Sequence, residues 1–433
     1  MKGRKAMPYK FIRGGIVTML LAGLLAVACS SSKPASTVVQ VSHDQFAAHA
    51  EPAVATNPAD PKNVLAASMV LQSPARGIAT YVSVDGGHTW RSNGLLPESG
   101  LRYDADVTIA FDTSGHGFVC AWVGDRADES NGGVRVWRTD NGGRTFRQPV
   151  RAVPGFMDHP GLAADPSPRS QDLYLAGTFT YADGLKFTRS TNGGQRFERA
   201  RGIDREGRLP VIAAGPDGLV AVMYFVFQPN GAPTAFIVTS TDYGATFNPP
   251  RTLGAVQTPS RITSVNARSG PALAIDPNRG TIYAAIPAPG PVGSHIALYT
   301  SADRGRSWRL QTTTPSLRER ETYAQPQLAA NSRGQVGLFT FQITKDNVRP
   351  LLFVVDPGGR TLGIARPLQP SGFDPTAGKA PGSDQDTSPT NQAAWIGDYQ
   401  AMSAAGAQFH PLWNATVNNK LQLVTTQQPA ALG

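Results

Sequence analysis

Cysteine is nearly absent: the 433-residue chain has two, Cys29 and Cys120. They stand in different contexts, one ending an apolar run and the other inside Phe118-Val119-Cys120-Ala121-Trp122-Val123, which reads as a buried strand. No disulfide framework is implied, and Cys120 reads as a small core residue. Charged residues make up only 16% of the chain, and no long amphipathic helical period occurs. No His/Cys cluster has metal-ligand spacing and no glycine-rich loop opens a helix, so neither a metal nor any other cofactor is expected. Lys/Arg clusters with interleaved aromatics are missing too, which argues against nucleic acid as a partner. The formal charge of +9 owes five units to Lys2, Arg4, Lys5, Lys10 and Arg13, leaving about +4 for the rest.

Glycine (45) and proline (35) are plentiful, a composition that suits an all-β protein with many turns. Length alone allows two or three domains. A repeat argues for one closed array instead. Ser83-Val84-Asp85-Gly86-Gly87-His88-Thr89-Trp90 returns at Thr139–Phe146, Ser190–Phe197, Ser240–Phe247 and Ser301–Trp308. The shared pattern is a hydroxyl, any residue, Asp or Asn, any residue, Gly, then an aromatic three positions on. The starts lie 56, 51, 50 and 61 residues apart. Such a period marks a repeat fold.

A second signature precedes each box: Glu51–Ala55, Asp106–Ala110, His159–Ala163, Leu209–Ala213, Gly270–Ala274, Gln325–Ala329 and, more weakly, Tyr399–Ser403. A large apolar residue holds the fourth place and a small one the fifth, as expected of innermost strands crowding a central axis. Four strands per fifty residues make the blade of a β-propeller. Seven blades are expected, with six as the alternative. Val355–Leu362 stands where a sixth box belongs, without its aromatic. The last unit lacks a fourth strand, and Thr37–Ser42 is free to supply it and close the ring. Residues 367–390, rich in Pro, Gly, Asp, Ser and Thr, read as a mobile loop between blades six and seven.

The box has a direct physical reading. Its Asp or Asn accepts hydrogen bonds from its own turn, the Gly takes a backbone shape that other residues resist, and the aromatic plugs the space between sheets. Asn in two copies fits a structural role and not a row of catalytic carboxylates.

The N-terminus reads as a signal peptide over 1–28, with a basic start and an apolar run from Ile16 to Ala28 too short for a comfortable membrane span. Leu25-Ala26-Val27-Ala28-Cys29 resembles a bacterial lipobox. That resemblance implies lipidation at Cys29, a polar tether over 29–36, and a propeller over 37–428 held outward on the cell envelope.

The five boxes resemble the Asp-box, or BNR, repeat of the sialidase superfamily, over roughly residues 37–428. Ile396–Gln400 followed by His410–Trp413 is similar to bacterial lipoproteins loosely labelled exo-sialidases. The resemblance implies a monomeric propeller that recognises, and as a glycoside hydrolase cleaves, an extracellular glycan. A non-catalytic propeller binding an envelope protein is the alternative, since this fold hosts several functions. It also implies a pocket on the face away from the boxes, where innermost strands begin. Candidate ligand-binding residues are then Glu51, Asp104, Asp158, His159, Arg208 and Gln325, with Asp106, Asp398 and Tyr399 as catalytic candidates. Asp104 and Asp106 share a strand face and are expected to pair. Asp158 and His159, being adjacent, are expected to point to opposite faces. Sialidases grip the substrate carboxylate with three arginines and use a tyrosine nucleophile. The first of those arginines belongs to an Arg-Ile-Pro motif. Here Ala50-Glu51-Pro52 stands in its place, and the nearest match is Arg208-Leu209-Pro210.

Overall fold

A computed structural model describes residues 37–430 except 73–74, 100–102, 126–127, 180–182, 229–230, 258–264, 267–268, 319–320, 345–346, 357–359 and 379–393. The expected signal peptide, Cys29 and tether lie outside the described residues. The rest forms a seven-bladed β-propeller: six antiparallel sheets of four strands in meander order, and a seventh built from Ala401–Ala405, Gln408–Val417, Lys420–Thr425 and Val39–Gln40, with Gln428–Pro429 added beside Gln408–Val417. The six-bladed alternative is excluded.

The innermost strands of blades one to seven are Ala48–Thr56, Tyr103–Phe111, Met157–Ala164, Gly207–Ala214, Ala272–Ile275, Thr322–Ala330 and Ala401–Ala405. Each leads outward through its own hairpins. The seventh sheet ends on the chain's other terminus: Val39–Gln40 pairs antiparallel with Lys420–Thr425, through Val39 with Thr425 and Gln40 with Val424. The N-terminal segment therefore closes the ring as expected and covers an open edge. A buried triad secures it. Tyr81 Oη donates to Asp44 Oδ2 at 2.6 Å, and His49, wholly buried, lies 2.9 Å from the same hydroxyl.

The boxes are built as the sequence suggests. Ser83 Oγ accepts from Gly87 N at 2.8 Å and donates to Asp85 Oδ1 at 2.7 Å. Asp85 also accepts from Thr89 N at 2.9 Å and Thr89 Oγ1 at 2.6 Å. In the second copy Asn141 Oδ1 takes over the acceptor's part, receiving Thr145 N at 3.0 Å. All five box aromatics, Trp90, Phe146, Phe197, Phe247 and Trp308, pack against core clusters. Phe247, for instance, meets Phe187 of the preceding blade edge to face, with centroids 4.9 Å apart. Gly86 N bonds Lys62 O at 2.8 Å, so the box rests on the turn that follows the innermost strand. Boxes and strand starts thus occupy opposite faces.

The segment expected to be loose is anchored where it is described. Leu368 and Phe373 are buried in the core, Pro375–Gly378 forms a 3-10 turn, and Thr416 Oγ1 donates to Asp374 O at 2.7 Å. Two well-spaced apolar side chains outweigh a turn-rich composition. On the strand-start face, Val265–Asn266 and Ala394–Trp395, from two different inter-blade connections, pair in parallel.

Candidate functional site

One local irregularity, repeated around the ring, creates the site. The innermost strands of blades one, two, three, four and six each carry a register shift against the second strand, between Ala50 and Ala53, Ala105 and Thr108, Asp158 and Gly161, Arg208 and Val211, and Ala324 and Gln327. At each bulge one non-glycine residue has left-handed backbone: Glu51, Asp106, His159, Leu209 and Gln325, with φ of 50 to 58°. L-residues avoid this region, and bulges near functional sites re-aim side chains. In four of the five, proline follows. The residue before proline is already barred from right-handed helix.

The bulges bring Glu51, Asp106, Asp158 and His159 to the mouth of the central channel, where Asp398 and Tyr399, just before the innermost strand of blade seven, join them. His159 Nδ1 lies 3.5 Å from Asp106 Oδ1, and its Nε2 lies 3.9 Å from both Asp158 Oδ2 and Asp398 Oδ2. The backbone N–H of His159 donates to Asp106 Oδ2 at 3.3 Å. Tyr399 stands edge to face with the imidazole, centroids 5.9 Å apart, and donates to Val107 O at 3.4 Å. Glu51 is buried, and the main charges acting on it are Asp106, Asp398, His159 and Asp158. Asp158 and His159 therefore do enter one site, contrary to the alternation expected of a regular strand, because the bulge interrupts that alternation.

Burial and crowding shape the electrostatics. Glu51 is raised well above the carboxylate range, by burial first and then by Asp106 and Asp398. Burial lifts Asp106 to about 7 against the pull of His159. Burial alone would lower His159, yet Asp106, Asp158, Asp398 and Glu51 outweigh it and raise it to about 9. Tyr399 is raised well above its usual value by burial, then by Glu51, Asp106 and Asp398. A phenol so placed keeps its proton at rest and would need a neighbouring base to act as a nucleophile.

Three expected residues do other work. Asp104 is fully buried and accepts from Ser99 Oγ at 2.5 Å. It forms no pair with Asp106, since the bulge falls between them and ends their shared face. Arg208 donates to Gly207 O at 2.9 Å and Arg205 O at 3.2 Å, capping its own loop. Gln325 is a positioning residue. Its Nε2 donates to Gly397 O at 2.7 Å, and its Oε1 accepts from Gln400 Nε2 at 3.0 Å.

Gln400 and Asn414 are members of this amide web that sequence reasoning missed. Gln400 Oε1 accepts from Asn414 N at 2.9 Å, and Asn414 Nδ2 donates to His49 O at 2.7 Å. The web ties the Asp398-Tyr399 segment to blades six, seven and one. Gly397, at φ 86°, lies so close to Glu51 that a Cβ would come within 2.8 Å of its backbone nitrogen. No metal group is expected from sequence spacing, yet Asp106, Asp158 and His159 bring potential ligand atoms within 4.8 Å of one another across two blades.

A cavity of about 270 Å³ opens beside these groups. His159, Asp398 and Tyr399 line one part of it, and Val54, Ile109, Leu162, Ile212 and Met402 contribute apolar wall. A few convergent polar groups over apolar walls form the usual design of a small-molecule site.

No protein-family model matches the chain, and no curated protein matches it. Among solved structures, a protein of unknown function from Dyadobacter fermentans superposes with a TM-score of 0.52 at 13% identity, covering 91% of this chain and 99% of that one. A Hadza microbial sialidase gives 0.48 at 14% identity, covering 82% and 73%. A GH93 alpha-L-arabinofuranosidase of Fusarium graminearum, solved with arabinobiose, gives 0.48 at 14%, covering 76% and 96%. At such identities the first likeness establishes shared fold and leaves the chemistry to the site itself.

Proposed function

We propose that the protein recognises a neutral glycan end at the mouth of its central channel. The observation that carries this reading is the cavity in which His159, Asp398 and Tyr399 converge over apolar walls. Carboxylates accept hydrogen bonds from sugar hydroxyls, and an aromatic beside them offers a flat apolar face. Crowded acids oppose a ligand that brings its own carboxylate, so neutral sugars are preferred over sialosides. The same reading takes the chain to be a lipoprotein, held on the outer side of a bacterial membrane through Cys29 with the propeller facing outward.

Screening the mature protein against an array of neutral and sialylated glycans tests recognition. Binding to a neutral class, lost in Asp398→Asn, is expected. Silence across the array, or binding confined to sialosides, overturns it. A panel of aryl glycosides measured alongside asks whether the bound sugar is also cleaved. For the anchor, Cys29→Ala is expected to move the protein from the membrane to the soluble fraction, and unchanged membrane retention contradicts lipidation.

A further inference from the structure

Asp106, from the bulge of blade two, meets Asp158 and His159 from the bulge of blade three. One atom of each lies within 4.8 Å of the others. Asp106 and His159 side chains are about one-tenth exposed while that of Asp158 is 37% exposed, so the group is seated deep but open on one side. Asp106 approaches Nδ1 of the imidazole at 3.5 Å and Asp158 approaches Nε2 at 3.9 Å, both long for charged hydrogen bonds; only one of the two nitrogens would face an ion, with the carboxylates closing on that side. Donors that each sit about 2.1 Å from an ion stand roughly 3–4 Å apart.

Glu51 supplies a separate indication. It is 5% exposed, the charges that act on it are those of Asp106, Asp398, His159 and Asp158, and no hydrogen bond reaches its carboxyl among the described residues. A buried carboxyl without a donor is costly unless something positive meets it.

We propose that Asp106, Asp158 and His159 bind one divalent transition-metal ion at the channel mouth, with the carboxyl of Glu51 facing it. Two oxygens and one imidazole nitrogen suit Mn²⁺ or Zn²⁺ better than Ca²⁺ or Mg²⁺, which favour oxygen alone. The ion bridges blades two and three and leaves its open side toward solvent. The proposal is independent of the glycan reading and holds whether or not a sugar enters the cavity.

Protein stripped with a chelator and titrated with MnCl₂ tests it, followed by the loss of the free-ion electron paramagnetic resonance signal and by calorimetry. One Mn²⁺ per chain is expected, displaced by Zn²⁺ and not by equimolar Ca²⁺. Asp158→Asn is expected to weaken Mn²⁺ at least about ten-fold. Because Asp158 is partly exposed, its variant is expected to melt like the wild type in chelator, which separates lost ligation from lost fold. Glu51→Gln is a second variant, expected to weaken Mn²⁺ with the fold intact. The proposal is overturned if neither Mn²⁺ nor Zn²⁺ saturates the stripped protein, or if both variants bind as the wild type does.

Discussion

The two faces of this propeller use the same residue type in opposite ways. On the box face, Asp85 accepts from Ser83 Oγ, His88 N, Thr89 N and Thr89 Oγ1, and lies at about 2 despite the opposing effect of its slight burial. Asp242 and Asp303, in equivalent turns, also lie at about 2. On the mouth face, Glu51 meets no donor and is pushed far up, while Asp106 rises to about 7. A carboxylate surrounded by its own turn's donors is spent on stability. Carboxyls crowded around one imidazole are raised by burial and by one another. The repeated element that dominates the sequence is therefore structural, and the site proposed for recognition lies on the irregular face.

The comparison can be broken first at His410, which is nearly fully buried near the first box. A Cβ at Gly87 would touch its Nδ1 at 3.5 Å. Burial, then the charge of His88, lower it to about 4. The folded state thus refuses a proton that the unfolded chain accepts below about 6.5. The contribution of His410 to stability is full above that value and falls as pH drops toward 4, by roughly 3 kcal/mol in all. Glu51 and Asp106, raised in the folded state, act in the opposite direction, so the loss is read as a difference: between pH 7 and pH 4 urea melts of the wild type are expected to lose about 3 kcal/mol relative to those of His410→Gln. An equal pH dependence in the variant would move the acid-sensitive group elsewhere.

Asp85→Ala comes next. Stripping four donors of their acceptor is expected to cost about 1–2 kcal/mol, read from the denaturant midpoint. Glu51→Gln, measured in chelator, is the matched change on the other face. It replaces a buried carboxyl, whose charged form burial and the neighbouring acids disfavour, by a neutral amide, so stability is expected to hold or to rise by up to about 1 kcal/mol. A loss as large as that of Asp85→Ala would erase the distinction between the faces.

The fold was legible because the box is local. Its hydroxyl, acid, glycine and aromatic act within eight residues, so five copies near a fifty-residue period marked the blades; the strand-start signature brought the count to seven and left the N-terminal segment to close the last one. The site was legible only in part. Strand starts were the right place, and Glu51, Asp106, Asp158, His159, Asp398 and Tyr399 do meet there. The bulge was hidden because it is a property of pairing: Asp106 parts from Asp104 only when Ala105 and Thr108 register against Trp122 and Cys120. The proline after Glu51, His159, Leu209 and Gln325 was the available signal. Gln400 and Asn414 had none, since their partners come from blades distant in sequence. Arg208 fitted a motif in sequence, but its guanidinium caps the carbonyls of its own loop.

The central claim is that recognition belongs to the mouth and stability to the boxes. Glycan binding by Asp85→Ala and Asp398→Asn, measured side by side on the neutral ligand that the wild type prefers, tests it most directly. Asp85→Ala is expected to be less stable yet to bind as the wild type does, while Asp398→Asn is expected to keep its melting point and lose binding. Binding retained in Asp398→Asn and lost in a folded Asp85→Ala would contradict it.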